Sequence, residues 1–353
     1  MNTVPNDRWR VFPVDEFAQR MSGWDAIVSA AGYPPFLHSD FLIPALREFG
    51  TGREILVVRG DDTEPSAMGL FARKTAGVWE TFQPSQLPLG AFVQCGGRQI
   101  DETLDALVSV LPGYAVVAAV TQQDPAIVAR PSDAGCLRTL DYIATARVNV
   151  AGTFDDYWAA RGKNLRTNVK RQHAKLANDG VTAHLDVVES PGAVAAAIAQ
   201  YGRLETAGWK SGTGTAVAAD NAQGRFYTSV FESFCAKGAG RIYRYLFDDK
   251  VVAMDLCIED AGVLVILKTA YDETYKSVSP ATLMRHECFR QIFEDGSIRR
   301  IEFYGKVMEW HRRWTDDVRA IYHINYYRSP WMRSAHAFLT GRTAAHSTGA
   351  SAS

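Results

Sequence analysis

Two segments of the chain each contain a series of short β-branched and aromatic runs separated by turn residues. The first series covers residues 54–84 and the second covers residues 241–272. Runs of this length with turn residues between them are typical of antiparallel strands. Helical segments stand before and after each series, and a closing strand follows. Because this order occurs twice, the sequence predicts two related α+β domains.

The length and composition agree with two globular domains. The chain has 353 residues, and domains commonly contain about 100–200 residues. Hydrophobic residues make up 47% of the chain and charged residues 22%, so the bulk of the chain is not disordered. We expect a first domain over residues 1–150 and a second over residues 151–340. Residues 341–353 are small and polar, which predicts a disordered tail.

The net charge, the cysteines and the lack of long apolar runs restrict the kinds of protein that this chain can be. The net charge of -1 argues against a whole-molecule attraction to nucleic acid, so phosphate binding requires a local basic patch. The five cysteines are widely spaced and show no zinc-type cluster, and we expect them to be reduced. The N-terminal segment lacks the apolar run of a signal peptide, and no stretch approaches the about 18 apolar residues of a membrane span. We therefore expect a cytoplasmic protein.

A local basic patch lies at the start of the second domain. Thr153 is a candidate N-cap for a helical segment that ends at Gly180. Within this segment the basic residues, which have no acid among them, are Arg161, Lys163, Arg166, Lys170, Arg171 and Lys175. A solvated helix face is one interpretation, although such faces usually interleave both signs. A site for an anionic ligand, such as a diphosphate, a nucleotide, tRNA or a lipid headgroup, is the other.

The start of a later helix is a second candidate site. Free backbone N–H groups at a helix start bind phosphate, and small residues allow a phosphate to approach closely. The residues at this position are Ser279, Ala281 and Thr282, and Tyr275 and Lys276 just before them would complete a pyrophosphate cradle. A capped helix without a ligand, with serine at the N-cap and proline at the first position, is the alternative interpretation.

A dense polar and aromatic run over residues 302–314 is the third candidate feature. His311 is a candidate general base because imidazole titrates near neutral pH, although a histidine beside arginines often only forms hydrogen bonds. Glu302 is a candidate base if it is buried in its strand with a raised pKa, and pairing with an arginine is the alternative interpretation. Trp209 and Lys210 end a helix before a glycine-rich stretch. This pair suits stacking of the aromatic ring on a sugar or base. It equally suits a helix end at which the lysine complements the helix dipole.

Several of these segments, in this order, resemble the CelD-like branch of the GNAT acyltransferase superfamily. This branch is related to FemAB-type peptidyltransferases and is found in bacterial cellulose and exopolysaccharide loci. The matching segments are the basic helix at 161–176, the Gly-Trp-Lys at 208–210, the helix and hairpin at 226–258, the segment AYDETYKSVSPATLM at 270–284 and the run at 302–327. The resemblance covers about half of the chain, and the first 150 residues match only in coarse layout.

The resemblance implies a tandem GNAT-like fold of two α+β domains, each a mixed, mostly antiparallel sheet flanked by helices. It implies a degenerate first domain and a second domain that takes acetyl-CoA or another acyl-CoA between splayed strands, without a metal. The acceptor would be an amine on a sugar or lipid-linked glycan for cell-surface polysaccharide, in peripheral contact with membrane-bound machinery. In GNAT chemistry the amine attacks the donor thioester directly, helped by a base and by backbone N–H groups at the oxyanion.

The resemblance also implies roles for individual residues. The catalytic residues would be Glu302 or His311 as the base, with Tyr304. The donor would contact Tyr275, Lys276, Ser279, Ala281 and Thr282. The acceptor would contact Trp209, Lys210, Lys268, Tyr271, Lys306 and Trp314. The sequence departs from the family pattern where Ala281 replaces a glycine, where Glu302 replaces an aspartate, and where Trp310 and His311 replace a Tyr-Lys pair.

Two alternative functions remain open from the sequence. FemAB-type proteins use aminoacyl-tRNA as the donor, and the basic helix would then contact the RNA backbone. RNA binding weakens steeply with salt because counterions are released, whereas binding of coenzyme A changes far less. The other alternative is a non-catalytic module that binds glycan or partner proteins within a polysaccharide synthase complex. Thermal stabilisation by acetyl-CoA would contradict that module.

Overall fold

The chain forms two compact units, each built from separate stretches of sequence. The computed structural model describes residues 8–207, 217, 218 and 220–334. In this part of the chain, the first unit contains residues 8–33, 50–143 and 320–334, and the second contains residues 34–49 and 144–319. Each unit therefore takes residues from both sides of the predicted boundary near Val150.

The elements of the first unit alternate short strands with short helices. In chain order they are β1 (Trp9–Pro13), α1 (Phe17–Ala31), β2 (Ile55–Gly60), β3 (Pro65–Thr75), β4 (Val78–Thr81), β5 (Phe92–Gln94), α3 (Ile100–Leu104), α4 (Leu107–Val110) and β6 (Val117–Gln123). The helix α2 (Ser39–Phe49) lies between α1 and β2 in the chain and belongs to the second unit.

The sheet of the first unit has the strand order β1-β2-β3-β4-β6, and β5 also pairs with β3. The last strand of the chain, β13 (Val318–Tyr327), pairs antiparallel with β6. The three consecutive strands β2, β3 and β4 pair antiparallel, as the series of short runs predicts. Only β4 and β6 run parallel, because the short helices carry the chain back before β6 begins.

The second unit contains the remaining elements. They are β7 (Leu137–Asn149), α5 (Phe154–Ala159), α6 (Lys163–Asn178), β8 (Ala183–Val188), α7 (Pro191–Ala207), α8 (Ala222–Ala236), β9 (Gly240–Phe247), β10 (Lys250–Asp260), β11 (Val263–Tyr271), α9 (Pro280–Asp295), β12 (Arg300–Glu302) and α10 (Glu309–Arg312). Of β7, the second unit contains the part from Ala144 onwards. Its sheet has the order β7-β12-β11-β10-β9-β8. All neighbouring strands pair antiparallel except β11 and β12, which are parallel because α9 connects them. The predicted α+β class, with mixed and mostly antiparallel sheets flanked by helices, is confirmed.

Local sequence signals explain where the main helices begin and end. The Thr153 hydroxyl accepts a hydrogen bond from the Asp156 N–H (3.1 Å) and caps α5, and the basic segment forms the two helices α5 and α6. Helix α9 begins with Pro280 and ends at Gly296, whose φ of 72° is a left-handed conformation that favours glycine. Ser279 precedes α9 as predicted, but its side chain forms no capping hydrogen bond and its own φ is 48°.

Helix α2 joins the second unit because its aromatic side chains pack on α8. The rings of Phe41 and Phe49 lie 5.1 and 5.2 Å from the ring of Phe226. All five cysteines are free, and three of them are buried. None of the helices in the described ranges combines the length and apolar character that a membrane crossing requires.

Candidate functional site

The parallel strands β11 and β12 stay together for only three residue pairs and then separate. Val263, Leu264 and Val265 pair with Arg300, Ile301 and Glu302. Strand β11 continues beside β10 to Tyr271, whereas the chain after Glu302 follows β7, where the Phe303 N–H donates to the Ala146 carbonyl (3.2 Å). The sheet is therefore split beyond Val265 and Glu302, and α9 begins shortly after the free end of β11.

A buried ion pair lies on one face of β11 at this split. Arg285 of α9 and Asp255 of β10 are 4% and 1% exposed, and their Nη2 and Oδ2 atoms are 3.2 Å apart. Arg285 also donates to the Thr269 hydroxyl (3.2 Å). Charges removed from water at this depth are tolerated only when they are paired. This pair therefore fixes the position of α9 against the strands that border the split.

The aromatic run after β12 covers the same arginine. The guanidinium of Arg285 lies 4.6 Å from the ring centre of Trp310, and Trp310 stacks on His311 with 3.5 Å between ring centres. His311 accepts a hydrogen bond at Nδ1 from the Met308 N–H (3.0 Å). Burial and the charge of Arg285 lower the pKa of His311 to about 4. The ring is therefore neutral at pH 7, and its Nε2 carries the hydrogen.

A second polar cluster lies on the opposite face of β11, because successive side chains of a strand alternate between faces. Lys268 donates to Glu205 of α7 (2.9 Å), and its ammonium lies 5.7 and 5.5 Å from the rings of Tyr201 and Tyr227. The second carboxylate oxygen of Glu205 accepts the Val217 N–H (2.8 Å). We refer to Tyr201, Glu205, Tyr227 and Lys268 as the Lys268 cluster.

The Lys268 cluster contains one hydroxyl whose hydrogen-bonding capacity is not used. Tyr201 is fully buried, and its hydroxyl has no hydrogen-bond partner among the described residues. Burial, reinforced by the nearby charge of Glu205, raises the pKa of Tyr201 well above its ordinary value. The group is therefore a neutral donor in the same cluster as the Lys268 ammonium.

The predicted catalytic residues Glu302 and Tyr304 lie at the point where the strands separate. Glu302 is 1% exposed, and its carboxylate oxygens lie 3.0 Å from Arg300 and 2.8 Å from Arg319. The Tyr304 ring packs edge-on against Phe36 (4.9 Å) and lies 5.2 Å from the Arg319 guanidinium. Tyr304 also has a φ of 48°, which is costly for a residue with a side chain, and such strain is common at functional sites.

The predicted donor residues lie at and before the start of α9. The N–H groups of Thr282 and Leu283 donate to the Ser279 carbonyl (2.9 and 3.2 Å), and proline at the first position has no N–H. This leaves the Ala281 N–H and the hydroxyls of Ser279 and Thr282 as polar groups of the first turn that are not used in these bonds. Lys276 is exposed nearby, whereas the Tyr275 ring packs on Phe247 (5.4 Å).

The predicted acceptor residues lie in several different environments. Lys268 belongs to the cluster described above. Tyr271 and Lys306 are exposed, Tyr271 at 40%. Trp314 is 2% exposed and packs on Trp158 and Phe289, so its ring lies in the core beside α9. Trp209 and Lys210 lie outside the described residues.

Reasoning from the sequence missed five residues of the two clusters, namely Asp255, Arg285, Tyr201, Glu205 and Tyr227. Asp255 interrupts the apolar run VVAMDLCI of β10, and an acid at such a position is a signal of a buried polar site. Tyr201 and Glu205 are four residues apart in α7 and so share a helix face. No sequence pattern indicated that Arg285 belongs to a site, because a single arginine in an amphipathic helix is typical of a solvated position.

One segment of the chain matches a protein family. Residues 163–312 match the family described as the acetyltransferase (GNAT) domain. The match contains the split between β11 and β12, the start of α9, Glu302 and His311. In a comparison with curated proteins, no sequence matches. Residues 163–312, all within the second unit, are therefore similar to a GNAT acetyltransferase domain, and the chain is an acyltransferase.

Comparison with solved structures extends the likeness beyond this segment. FemX is similar over 87% of this chain and 96% of its own, with a TM-score of 0.56 and 8% identity. A C-terminal domain (DUF2156) from Agrobacterium fabrum, of a protein named as a lysylphosphatidylglycerol synthetase, is similar over 87% and 92%, with a TM-score of 0.54 and 13% identity. A protein of unknown function from Bacteroides thetaiotaomicron VPI-5482 has a TM-score of 0.53 at 11% identity, over 87% and 97%. At these identities the likenesses show a shared fold.

Proposed function

We propose that this acyltransferase moves an acyl group, most simply acetyl, from acyl-CoA to an amine. The observation that supports this donor is the split between β11 and β12 beside the start of α9, within the segment that matches the acetyltransferase family. An extended donor needs such an opening, because intact strands would use their own backbone groups to pair with each other. Amide groups that the split leaves unpaired can instead bind the amide-containing arm of coenzyme A.

The donor pyrophosphate would bind at the first turn of α9. Ser279 and Ala281 offer a hydroxyl and an N–H there, and the positive end of the helix dipole favours an anion. Thr282 places a second hydroxyl on the same turn, and Lys276 is exposed beside it. Tyr275 packs on Phe247 and would support the turn through this contact.

Glu302 is the proposed base, acting through a water molecule on the acceptor amine. It stands at the last residue pair before the strands part, so an amine that attacks a thioester in the split would approach this carboxylate. His311 uses Nδ1 for the Met308 N–H, so we assign it a donor role through its Nε2 hydrogen. Such a donor stabilises the oxyanion that forms when the amine attacks the thioester carbonyl.

The proposed acceptor is an amine on a sugar or a lipid-linked glycan used for cell-surface polysaccharide, at a cytoplasmic location next to membrane-bound machinery. This part of the proposal rests on the resemblance of residues 161–327 to the CelD-like branch. The Lys268 cluster is compatible with it, because a tyrosine hydroxyl and an ammonium suit the hydrogen bonding of a sugar. Tyr271 and Lys306 would contact the parts of the acceptor that stay in solvent.

A second candidate function uses aminoacyl-tRNA as the donor, and the surface of α6 supports it. Five of its basic residues are exposed, and none of them forms an ion pair with another residue in the described ranges. They are Lys163, Arg166, Lys170, Arg171 and Lys175, to which we refer as the basic face of α6. A row of unpaired cations suits a phosphate backbone. The match to an acetyltransferase family argues against the non-catalytic module.

The donor site can be tested with a charge placed at the start of α9. Glutamate at the third helical position is favourable for the helix, so Thr282→Glu should fold, but its carboxylate would repel a pyrophosphate. We expect acetyl-CoA to stabilise the wild type in a thermal-shift assay and to bind Thr282→Glu at least about 10-fold more weakly. Thr282→Gln, which has the same size without the charge, is the matched control. Equal binding by all three proteins would overturn this donor site.

The proposed base has its own test. Glu302→Gln keeps the shape of the side chain, and we expect it to lower kcat for acyl transfer about 10²-fold or more while KM for acetyl-CoA changes little. The exposed Glu309→Gln is the matched control for loss of one carboxylate nearby. Unchanged kcat in Glu302→Gln would remove the base assignment and leave the donor site untouched.

A further inference from the structure

Two histidines and a glutamate from α6 and α9 converge at a place that the proposed acyl transfer does not use. The atoms are Nε2 of His173, Nδ1 of His286 and Oε1 of Glu287, and all three lie within 4.8 Å of one another. Oε1 of Glu287 is 3.3 Å from His286 and 3.8 Å from His173. We refer to these three residues as the histidine cluster.

The side chains of the histidine cluster are held in place by their neighbours. The His286 ring contacts the rings of Trp158 (4.6 Å) and Phe154 (5.3 Å) of α5. His173 is half-buried, yet its Nε2 is screened from solvent and has no hydrogen-bond partner among the described residues. A buried nitrogen in this state costs free energy unless something binds it.

Glu287 presents only one of its oxygens to the histidines. Its other oxygen, Oε2, accepts hydrogen bonds from the Nη2 (2.8 Å) and Nε (3.2 Å) of Arg290. Arg290 in turn pairs with Glu294 (3.0 Å), so the guanidinium is itself held by two acids. A carboxylate whose second oxygen is fixed by a donor is the arrangement that orients a monodentate metal ligand.

We propose that the histidine cluster binds one divalent transition metal ion, Zn²⁺ being the ion that fits its donors best. The ligands would be His173 Nε2, His286 Nδ1 and Glu287 Oε1, with water in the fourth position. Zn²⁺ bonds of about 2.0–2.2 Å in a tetrahedron place the ligand atoms about 3.3–3.6 Å apart. The two distances of 3.3 and 3.8 Å are close to this range, so small rotations of the side chains complete the site.

The proposed ion would join α6 to α9, since each helix supplies at least one ligand. The two helices already share one hydrophobic core, to which α6 contributes Leu165, Val169 and Leu176. A metal bridge adds the free energy of ion binding to the folded state. It would act on stability and not on the acyl-transfer step, so the proposal does not depend on the proposed function.

Direct metal measurement tests the proposal. The full chain, treated with EDTA and dialysed, is titrated with Zn²⁺, and bound metal is measured by mass spectrometry. We expect one tightly bound Zn²⁺ per chain, and at least about 10-fold weaker binding in both His173→Ala and Glu287→Gln. His184→Ala, which removes an exposed histidine from β8, is the matched control and should bind like the wild type. Mg²⁺ should not compete, because it prefers oxygen ligands.

A second readout gives a spectroscopic signature of the site in a variant that nearly keeps the shape of the side chain. Co²⁺ in a tetrahedral nitrogen and oxygen site gives visible absorption bands, and Zn²⁺ should displace them. We expect these bands in the wild type and in His184→Ala, and their loss in the nearly isosteric Glu287→Gln. Equal Zn²⁺ affinity in all four proteins, or less than one ion per wild-type chain, would overturn the site and leave the cluster as a hydrogen-bonded contact between helices.

Discussion

Burial and the charge of Arg285 keep His311 neutral. Its Nδ1 accepts the Met308 N–H, and the Arg285 guanidinium lies close enough to disfavour a second positive charge. Burial and this charge lower its pKa from 6.5 to about 4. The unfolded chain therefore binds a proton at His311 at a higher pH than the folded chain does, and this difference makes stability depend on pH.

The direction in which stability changes with pH can be predicted from this pKa. Between pH 6.5 and 4 the unfolded state is protonated at His311 and the folded state is not, so the free energy of unfolding falls as the pH falls. The shift corresponds to about 3 kcal/mol at most. Over the same pH range, we expect the free energy of unfolding to fall by this much more in the wild type than in His311→Asn. Urea unfolding at several pH values measures the difference. Asparagine keeps an acceptor for Met308 and does not titrate, so parallel stability curves would contradict the assignment.

The sequence predicted some residues of the site and not their surroundings. His311 and Glu302 stood out because their residue types carry acid and base chemistry. Whether His311 accepts or donates depends on the Met308 backbone and on Arg285, which lies on a different element. Trp314 stood out as a candidate ligand contact, and its ring is core because Trp158 and Phe289 converge on it. Such surroundings come from long-range packing, which one segment of sequence does not encode.

At the scale of elements, helix α7 contains two glycines in different surroundings. Gly192 lies near its start, where an added Cβ would meet nothing within 4 Å. Gly202 lies where an added Cβ would be 2.2 Å from the Val217 carbonyl oxygen. The Val217 N–H donates to Glu205, so this close approach also positions one member of the Lys268 cluster.

The two glycines form a matched pair of substitutions in one helix. We expect Gly202→Ala to lower the free energy of unfolding by about 1–3 kcal/mol, because the chain at Val217 must move. Gly192→Ala should leave it unchanged or raise it by up to about 1 kcal/mol, since alanine has the higher helix propensity. Denaturant unfolding measures both changes. Equal stability of the two variants would show that α7 does not approach Val217 as closely as described.

Elements with local signals were the most predictable part of the fold. The Thr153 cap, the proline and glycine that bound α9 and the antiparallel strands β9, β10 and β11 all follow from residues close in sequence. Ser279 is the exception, because its left-handed conformation withdraws the hydroxyl from the capping position. The sequence identified the residue correctly and did not predict this backbone conformation.

At the scale of the whole molecule, the order of elements was predictable and the membership of the two units was not. Helix α2 belongs to the second unit through ring contacts of Phe41 and Phe49 with Phe226, which is far away in sequence. Strand β13 returns to pair with β6 in the first unit. Both arrangements depend on contacts between distant segments, whereas the sequence patterns that were used describe near neighbours.

The net charge of the whole molecule is close to zero, but basic residues are concentrated at one place. Acidic and basic residues nearly cancel, with 39 Asp and Glu against 38 Lys and Arg. The basic face of α6 has no paired acids among the described residues, so its field is not cancelled close to the surface. Whether this face serves the reaction decides between the two candidate donors, because coenzyme A is small and tRNA presents a long phosphate backbone.

Reversing two charges on the basic face of α6 distinguishes acyl-CoA from aminoacyl-tRNA as the donor. With acyl-CoA as the donor, we expect Lys170→Glu/Arg171→Glu to change acetyl-CoA-dependent transfer less than about twofold between 50 and 200 mM salt, since the α9 site remains intact. The matched control, Arg53→Glu/Arg203→Glu, makes the same change in net charge at exposed positions elsewhere. With aminoacyl-tRNA as the donor, wild-type RNA binding would fall steeply with salt, and the α6 variant alone would lose about two units of that slope. That second result would replace acyl-CoA by aminoacyl-tRNA, because only a polyanion held by several cations at once responds to salt in this way.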